Sequence, residues 1–148
     1  MIDRKLIGHT IGPKSIDFER QPLALFCKAI GETNPLFTDL EKARAAGAPD
    51  LRAPPTYLFA LKTALIHPIE WISLIGMEHD LGRLLHAEQS FEYHRPAYVG
   101  ERLTFVERLV DIYEKKNGEL TFMVTETHVT NSHGALVATL RYTEVQTR

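Results

Sequence analysis

The segment TYLFALKTALI, residues 56–66, constrains the fold of this chain more than any other stretch. Tyr57, Leu58, Phe59, Leu61, Ala64, Leu65 and Ile66 make it apolar on nearly every face of a helix, and a helix of that kind is stable only when protein surrounds it. It ends before Pro68, because proline disfavours helix in the residue ahead of it. The surrounding material must come from the second half of the chain, which reads as strand. LLHAEQSFEYHRP, ERLTFVERLVDIYEKK, GELTFMVTETHVT and ALVATLRYTEV follow one another. Leu120, Phe122 and Val124 alternate with polar or smaller residues, the two-residue period of a half-buried strand, and Leu136, Ala138, Leu140 and Tyr142 repeat it. Asn117-Gly118 is a hairpin signal, since both residues accept positive φ, and NSHG at 131–134 supplies the next turn.

Three long antiparallel strands joined by tight turns form a meander. The polar faces of ERLTFVERLVDIYEKK read as solvated. A curled antiparallel sheet that buries one apolar helix on its concave face is an α+β arrangement, the hot-dog fold. Such a sheet leaves an edge strand open, and pairing with a second chain covers it, so a dimer is expected.

Ahead of the apolar helix, QPLALFCKAIG reads as a helix with Leu23, Phe26, Cys27 and Ile30 at helical spacing, Pro22 in its first turn and Gly31 as its stop. Cys27 falls on the apolar face and is expected in the core. DLEKARAAG reads as a second short helix ending at Gly47, with the Asp39 carboxylate as its N-cap. APDLRAPP breaks regular structure, and Pro55 is placed in the first turn of the apolar helix. Trp71 and the segment 67–80 fit either a flap over a pocket or a packed loop.

The 148 residues suit one domain, 1–148, without repeats or linker-like segments. A net charge of −2 gives no reason to expect nucleic acid or an anionic membrane as partner. The single cysteine excludes an intramolecular disulfide framework and fits a reducing compartment. No long apolar run or signal-peptide centre is present, so a cytoplasmic protein is expected. His79 and His86 lie seven apart with acids nearby, but no histidine pair has the spacing of a known zinc motif; the histidines read as solvated, and neither metal nor cofactor is expected.

Three separated stretches carry a family resemblance. FCKAIGETNPLFTDLEKARAAG resembles the active-site segment of MaoC-like (R)-specific enoyl-CoA hydratases and 3-hydroxyacyl dehydratases, whose pattern is Ser-Gly-Asp-x-Asn-Pro-(Ile or Leu)-His-x-Asp. APPTYL resembles the loop entering the central helix in the branch related to the dehydratase domain of fungal-type fatty acid synthase. HAEQSFEYHRPAYVGERL resembles that family's strand motif. The likeness runs in order along roughly the whole chain.

The resemblance implies an acyl thioester of coenzyme A or acyl carrier protein as substrate, hydrated across a trans-2 double bond or dehydrated from its 3-hydroxy form. That chemistry needs a base for water, an acid for the α-carbon and donors for the thioester oxygen. In the family an Asp and a His five positions apart share the first two tasks. Here Glu32 stands at the Asp position and Phe37 at the His position. Glu32 is then the surviving acid/base, Asn34 the residue orienting the loop and Phe37 a wall for the acyl chain. Pro54, Pro55, Thr56 and Tyr57 would lie at the thioester, with the Thr56 hydroxyl and the helix amides favouring the oxyanion. Losing one general acid/base group typically costs a factor of about 10²–10⁴.

Two ways around that loss follow. Some family members are heterodimers in which one subunit carries the Asp-His pair and the other, with a degenerate loop, shapes the acyl channel. Otherwise a histidine elsewhere substitutes, His86 or His94 being nearest by motif, eight apart and so on one face of an unbroken strand. Thioester hydrolysis on the same fold, or acyl-thioester binding without turnover, are the alternatives to hydration.

Overall fold

The computed structural model describes residues 2–76 and 81–147. Five strands form one antiparallel sheet: β1 (Thr10–Asp17), β2 (Leu84–Tyr93), β3 (Arg102–Lys115), β4 (Leu120–Asn131) and β5 (Leu136–Thr147), in the order β1-β3-β4-β5-β2. β3, β4 and β5 are the expected meander. The turns form as their residues dictate: Asn117 and Gly118 have φ of 54° and 85°, and Asn131 Oδ1 accepts from the His133 and Ala135 N–H groups.

β1 carries no strand signal in the sequence, because GPKSID offers no alternation and begins with two breakers. It forms as an edge strand by pairing Ile16 with Leu103 and Lys14 with Phe105 after an irregularity between Ile11 and Lys14. Gly12 permits this approach: its φ is +103°, and a Cβ there would stand 2.6 Å from the Phe105 carbonyl oxygen.

The helices are α1 (Arg20–Ile30), α2 (Pro35–Thr38), α3 (Leu40–Ala45), α4 (Tyr57–Leu65) and α5 (Pro68–Leu74). α1 stops at Gly31 (φ 69°), and Asp39 Oδ1 caps α3 by accepting from the Lys42 N–H at 3.1 Å. α4 is the apolar helix, and Tyr57, Leu58 and Leu61 pack with Phe105, Val129, Ala138 and Leu140 of the sheet. This is the hot-dog arrangement. Helix α4 begins one residue after its N-cap Thr56, so Pro55 lies outside its first turn, contrary to the sequence expectation. The reason is tertiary: the Ala53 N–H bonds to the Ala97 carbonyl at 2.9 Å and Val99 N–H to Leu51 at 2.9 Å, which keeps the chain extended up to Pro54.

The segment after Pro68 is helical. His67 and Glu70 form a capping box at the start of α5, Lys14 Nζ bonds the Glu70 carboxylate at 2.6 Å, and Trp71 is buried. Residues 68–74 are therefore helix and not loop, and Pro68 and Trp71 of that helix line a hollow with Phe59, Tyr142 and Glu144. Residues 77–80, including His79, lie outside the described residues.

Two sequence readings are corrected in the sheet. On β4 the alternating set Met123, Thr125, Thr127 and Val129 is buried, whereas of Leu120, Phe122 and Val124 only Val124 is. Phe122 instead stacks on Tyr113 on the other face, ring centroids 4.8 Å apart. Glu107, read as part of a solvated face, is fully buried, as its phase with Leu103, Phe105 and Leu109 requires.

Candidate functional site

The GETNPLFTD loop is built by its own polar side chains. After the left-handed Gly31, the Glu32 N–H returns to the Cys27 carbonyl at 2.8 Å. Glu32 Oε1 then accepts from the Thr33 and Asn34 N–H groups at 2.9 and 2.8 Å. Asn34 caps α2, its Oδ1 accepting from Leu36 N–H at 3.0 Å, and Pro35 occupies the first helical position, where a missing N–H costs nothing. The Arg52 N–H closes the far side on the Leu36 carbonyl at 3.0 Å. Asn34 thus shapes the turn through backbone contacts, and one oxygen of Glu32 is engaged in the loop itself.

Phe37 stands between two hollows. On one side Glu32, Cys27, Lys28 and Phe37 line a cleft of about 250 Å³. On the other, Phe37, Pro55, Leu58, Tyr93 and Ala97 line an apolar pocket of about 60 Å³ with Arg52 and Arg95. Phe37 lines both. Burial, and secondarily the Glu32 charge, push the Cys27 thiol above its ordinary pKa, which disfavours the reactive thiolate.

Of the residues named from the sequence, Glu32, Asn34, Phe37 and Pro55 gather around this loop and its hollows. Pro54 is buried and its carbonyl accepts from the Tyr57 N–H at 3.0 Å. Thr56 is exposed and makes no side-chain cap bond. Tyr57 points away into the core, packed on Phe26 and Phe18 with centroids 4.9 and 5.2 Å away, and lines a different cleft beside Arg102.

His86 lines neither hollow beside Phe37. A bulge between His86 and Glu88 and the end of β2 at Tyr93 also separate it from His94, so the two do not share one face of an unbroken strand. His86 lies across from Glu144 on β5, its ring edge-on to Tyr142 at 4.7 Å.

Sequence reading missed a second polar assembly under α4. Glu107 Oε1 meets Lys62 Nζ at 2.7 Å and accepts from Thr125 Oγ1 at 2.8 Å, while Oε2 accepts from Trp71 Nε1 at 2.8 Å. Both charges are buried. The available signal was a lone lysine in an otherwise apolar helix. Beside this pair, Tyr142 donates to Glu144 at 3.2 Å.

Burial raises the Glu144 pKa, partly offset by Tyr142 and Lys62. A carboxyl whose folded pKa is raised contributes stability at low pH that is lost as pH climbs through the raised value. Glu144→Gln is therefore expected to raise Tm at neutral pH and to leave it unchanged below the ordinary Glu range; melting curves at several pH values check this.

Among the described residues no three His, Cys, Asp or Glu side chains gather as a metal site, and no helix is long and apolar enough to cross a membrane.

The fold recurs in solved structures, and the sequence has relatives. A UPF0336 protein of Saccharopolyspora erythraea is 32% identical over 145 residues, covering 97% of this chain and 90% of that one. The HadBC (3R-hydroxyacyl-ACP dehydratase) complex of Mycobacterium tuberculosis has a chain that superposes with a TM-score of 0.80 at 20% identity, covering 97% of this chain and 99% of that one. A MaoC-like dehydratase superposes at a TM-score of 0.83 and 22% identity, over 96% of this chain and 42% of that one. Residues 5–140 match the model of the FAS1-like dehydratase domain region, and the chain belongs to that family.

Proposed function

We propose that this chain takes part in the reversible hydration of trans-2-enoyl thioesters of coenzyme A or acyl carrier protein, as the subunit of a dimer whose partner carries an intact Asp-His loop. In that reaction the water oxygen adds to the β-carbon and a proton to the α-carbon, so two proton-handling groups must flank the double bond. The observation that carries the reading is Phe37: an apolar side chain lies between the Glu32 cleft and the apolar pocket, at the border where the second group would be needed. Glu32 then serves as the remaining acid/base, and Phe37 with Pro55 and Leu58 as the acyl wall. The heteromeric Mycobacterium tuberculosis dehydratase with the same fold supports a two-subunit arrangement.

Crotonyl-CoA hydration, followed as loss of enoyl absorbance, tests this with the chain alone, with an Asp-His homologue alone and with the two combined. The expected result is slow turnover alone, a 1:1 complex by native mass spectrometry, and faster turnover in the mixture than in either component. Robust turnover by the chain alone that survives Glu32→Ala sinks the assignment of Glu32. Release of free thiol without loss of enoyl absorbance replaces hydration by thioester hydrolysis.

A further inference from the structure

The cleft that Tyr57 lines shares no residue with the hollows beside Phe37. It measures about 320 Å³ and forms where the end of β1, the start of β3, the first turn of α1 and one side of α4 meet. Tyr57 is only 3% exposed, and its hydroxyl has no hydrogen-bond partner among the described residues. That is an uncommon state for a buried phenol, because an unmade hydrogen bond in the interior costs stability.

The other polar groups of the cleft are mostly acceptors, and their charges leave a negative balance. Asp17 Oδ1 accepts from Arg102 Nη1 at 2.8 Å, so this pair neutralises itself. Ser15 Oγ shares a hydrogen bond with Thr104 Oγ1 at 2.8 Å and keeps a lone pair to spare. Glu19 stands at the N-cap of α1 and lines the same cleft, yet its side chain makes no cap bond and, among the described residues, no ion pair. Its charge still bears on the phenol. Burial first, then Cys27 and Glu19, push the Tyr57 pKa up, so the hydroxyl stays neutral. Ile16, Pro22 and Leu61 supply apolar wall.

A free carboxylate, a neutral phenol oxygen and a serine oxygen match three N–H donors carried on one positive atom. A primary ammonium has that number of donors and that charge. An anion would face Glu19 and Asp17 with the one guanidinium of the cleft already engaged. We propose that this cleft binds a primary amine with a short apolar body, its ammonium held by Glu19 and Tyr57 with Ser15 as the third acceptor. The inference is independent of the thioester reading, since it uses none of the residues to which that reading gives a role.

Titration of the isotope-labelled chain with n-butylammonium chloride at neutral pH, followed by amide chemical shifts, tests it, with sodium butyrate and n-butanol as charge controls. The expected result is saturable shifts confined to β1, the start of β3, the start of α1 and α4, and with the ammonium only. Glu19→Gln and Tyr57→Phe should each weaken binding about 10-fold, the worth of one charge-assisted hydrogen bond. Without amine, Tyr57→Phe should melt no lower than the wild type, because it removes a polar atom that has no partner. No saturable shift with n-butylammonium, or equal binding of either control, overturns the proposal. Unchanged affinity in Glu19→Gln overturns the carboxylate contact. A lower Tm for Tyr57→Phe, or its unchanged affinity, overturns the part given to the phenol.

Discussion

Lys62→Met is expected to lower the unfolding free energy by about 3–5 kcal/mol, the usual cost of removing one partner from a buried ion pair. The size follows from what is left behind. Glu107 has no exposed surface, and its carboxylate would keep Thr125 and Trp71 as donors but lose the ammonium at 2.7 Å. An uncompensated carboxylate in the core then either stays charged at high cost or takes up a proton. Urea denaturation measures the loss. The double variant Lys62→Met/Glu107→Gln removes both charges while keeping an acceptor for Thr125 and Trp71, and it should recover most of the lost stability. A single-variant loss below about 1 kcal/mol would show that the pair is solvated, as exposed pairs of that worth are.

The second large effect is a gain. Phe37→His should raise kcat/KM for crotonyl-CoA hydration by the chain alone by at least about 10², the low end of what a general acid/base group contributes. Phe37 lines both the Glu32 cleft and the apolar pocket, so an imidazole there borders both hollows. Adding Glu32→Gln should cancel the gain, and Phe37→Leu should give none. A Phe37→His protein that folds normally, binds butyryl-CoA and still shows no gain would remove the proton-transfer account of this position.

Much of the site was legible because it is local. Gly31 ends α1 by adopting positive φ, Asn34 caps the turn that Pro35 begins, and Asp39 caps the next helix; each acts within four residues of itself. The same holds for the hairpin turns at Asn117-Gly118 and 131–134. What Glu32 does with its carboxylate was less legible, because accepting two N–H groups of its own loop is a matter of side-chain direction, not of spacing. His86 shows the limit from another side. Motif proximity placed it near the GETNPLFTD loop, but a bulge in β2 and the pairing of β2 with β5 put it against Tyr142 and Glu144.

The periodicity of the chain pointed to an α+β domain with one apolar helix against a curled sheet, and the structure buries Tyr57, Leu58, Leu61 and Ile66 of that segment while Ala64 stays exposed. The spacing of Glu32 and Phe37, five positions apart, likewise belongs to the sequence whatever the fold. Tertiary structure alone decided which face of β4 looks inward and that β1 joins the sheet. It alone decided that Glu107 meets Trp71, 36 residues away, and Lys62 in the core. A strand can bury either face until its neighbours are in place, and the choice here went to the register that lets Thr125 and Lys62 satisfy Glu107. The placement of Phe37 between a carboxylate cleft and an arginine-rimmed pocket belongs to the same class, because those walls come from segments that only pairing of residues 51–53 with 97–99 brings together.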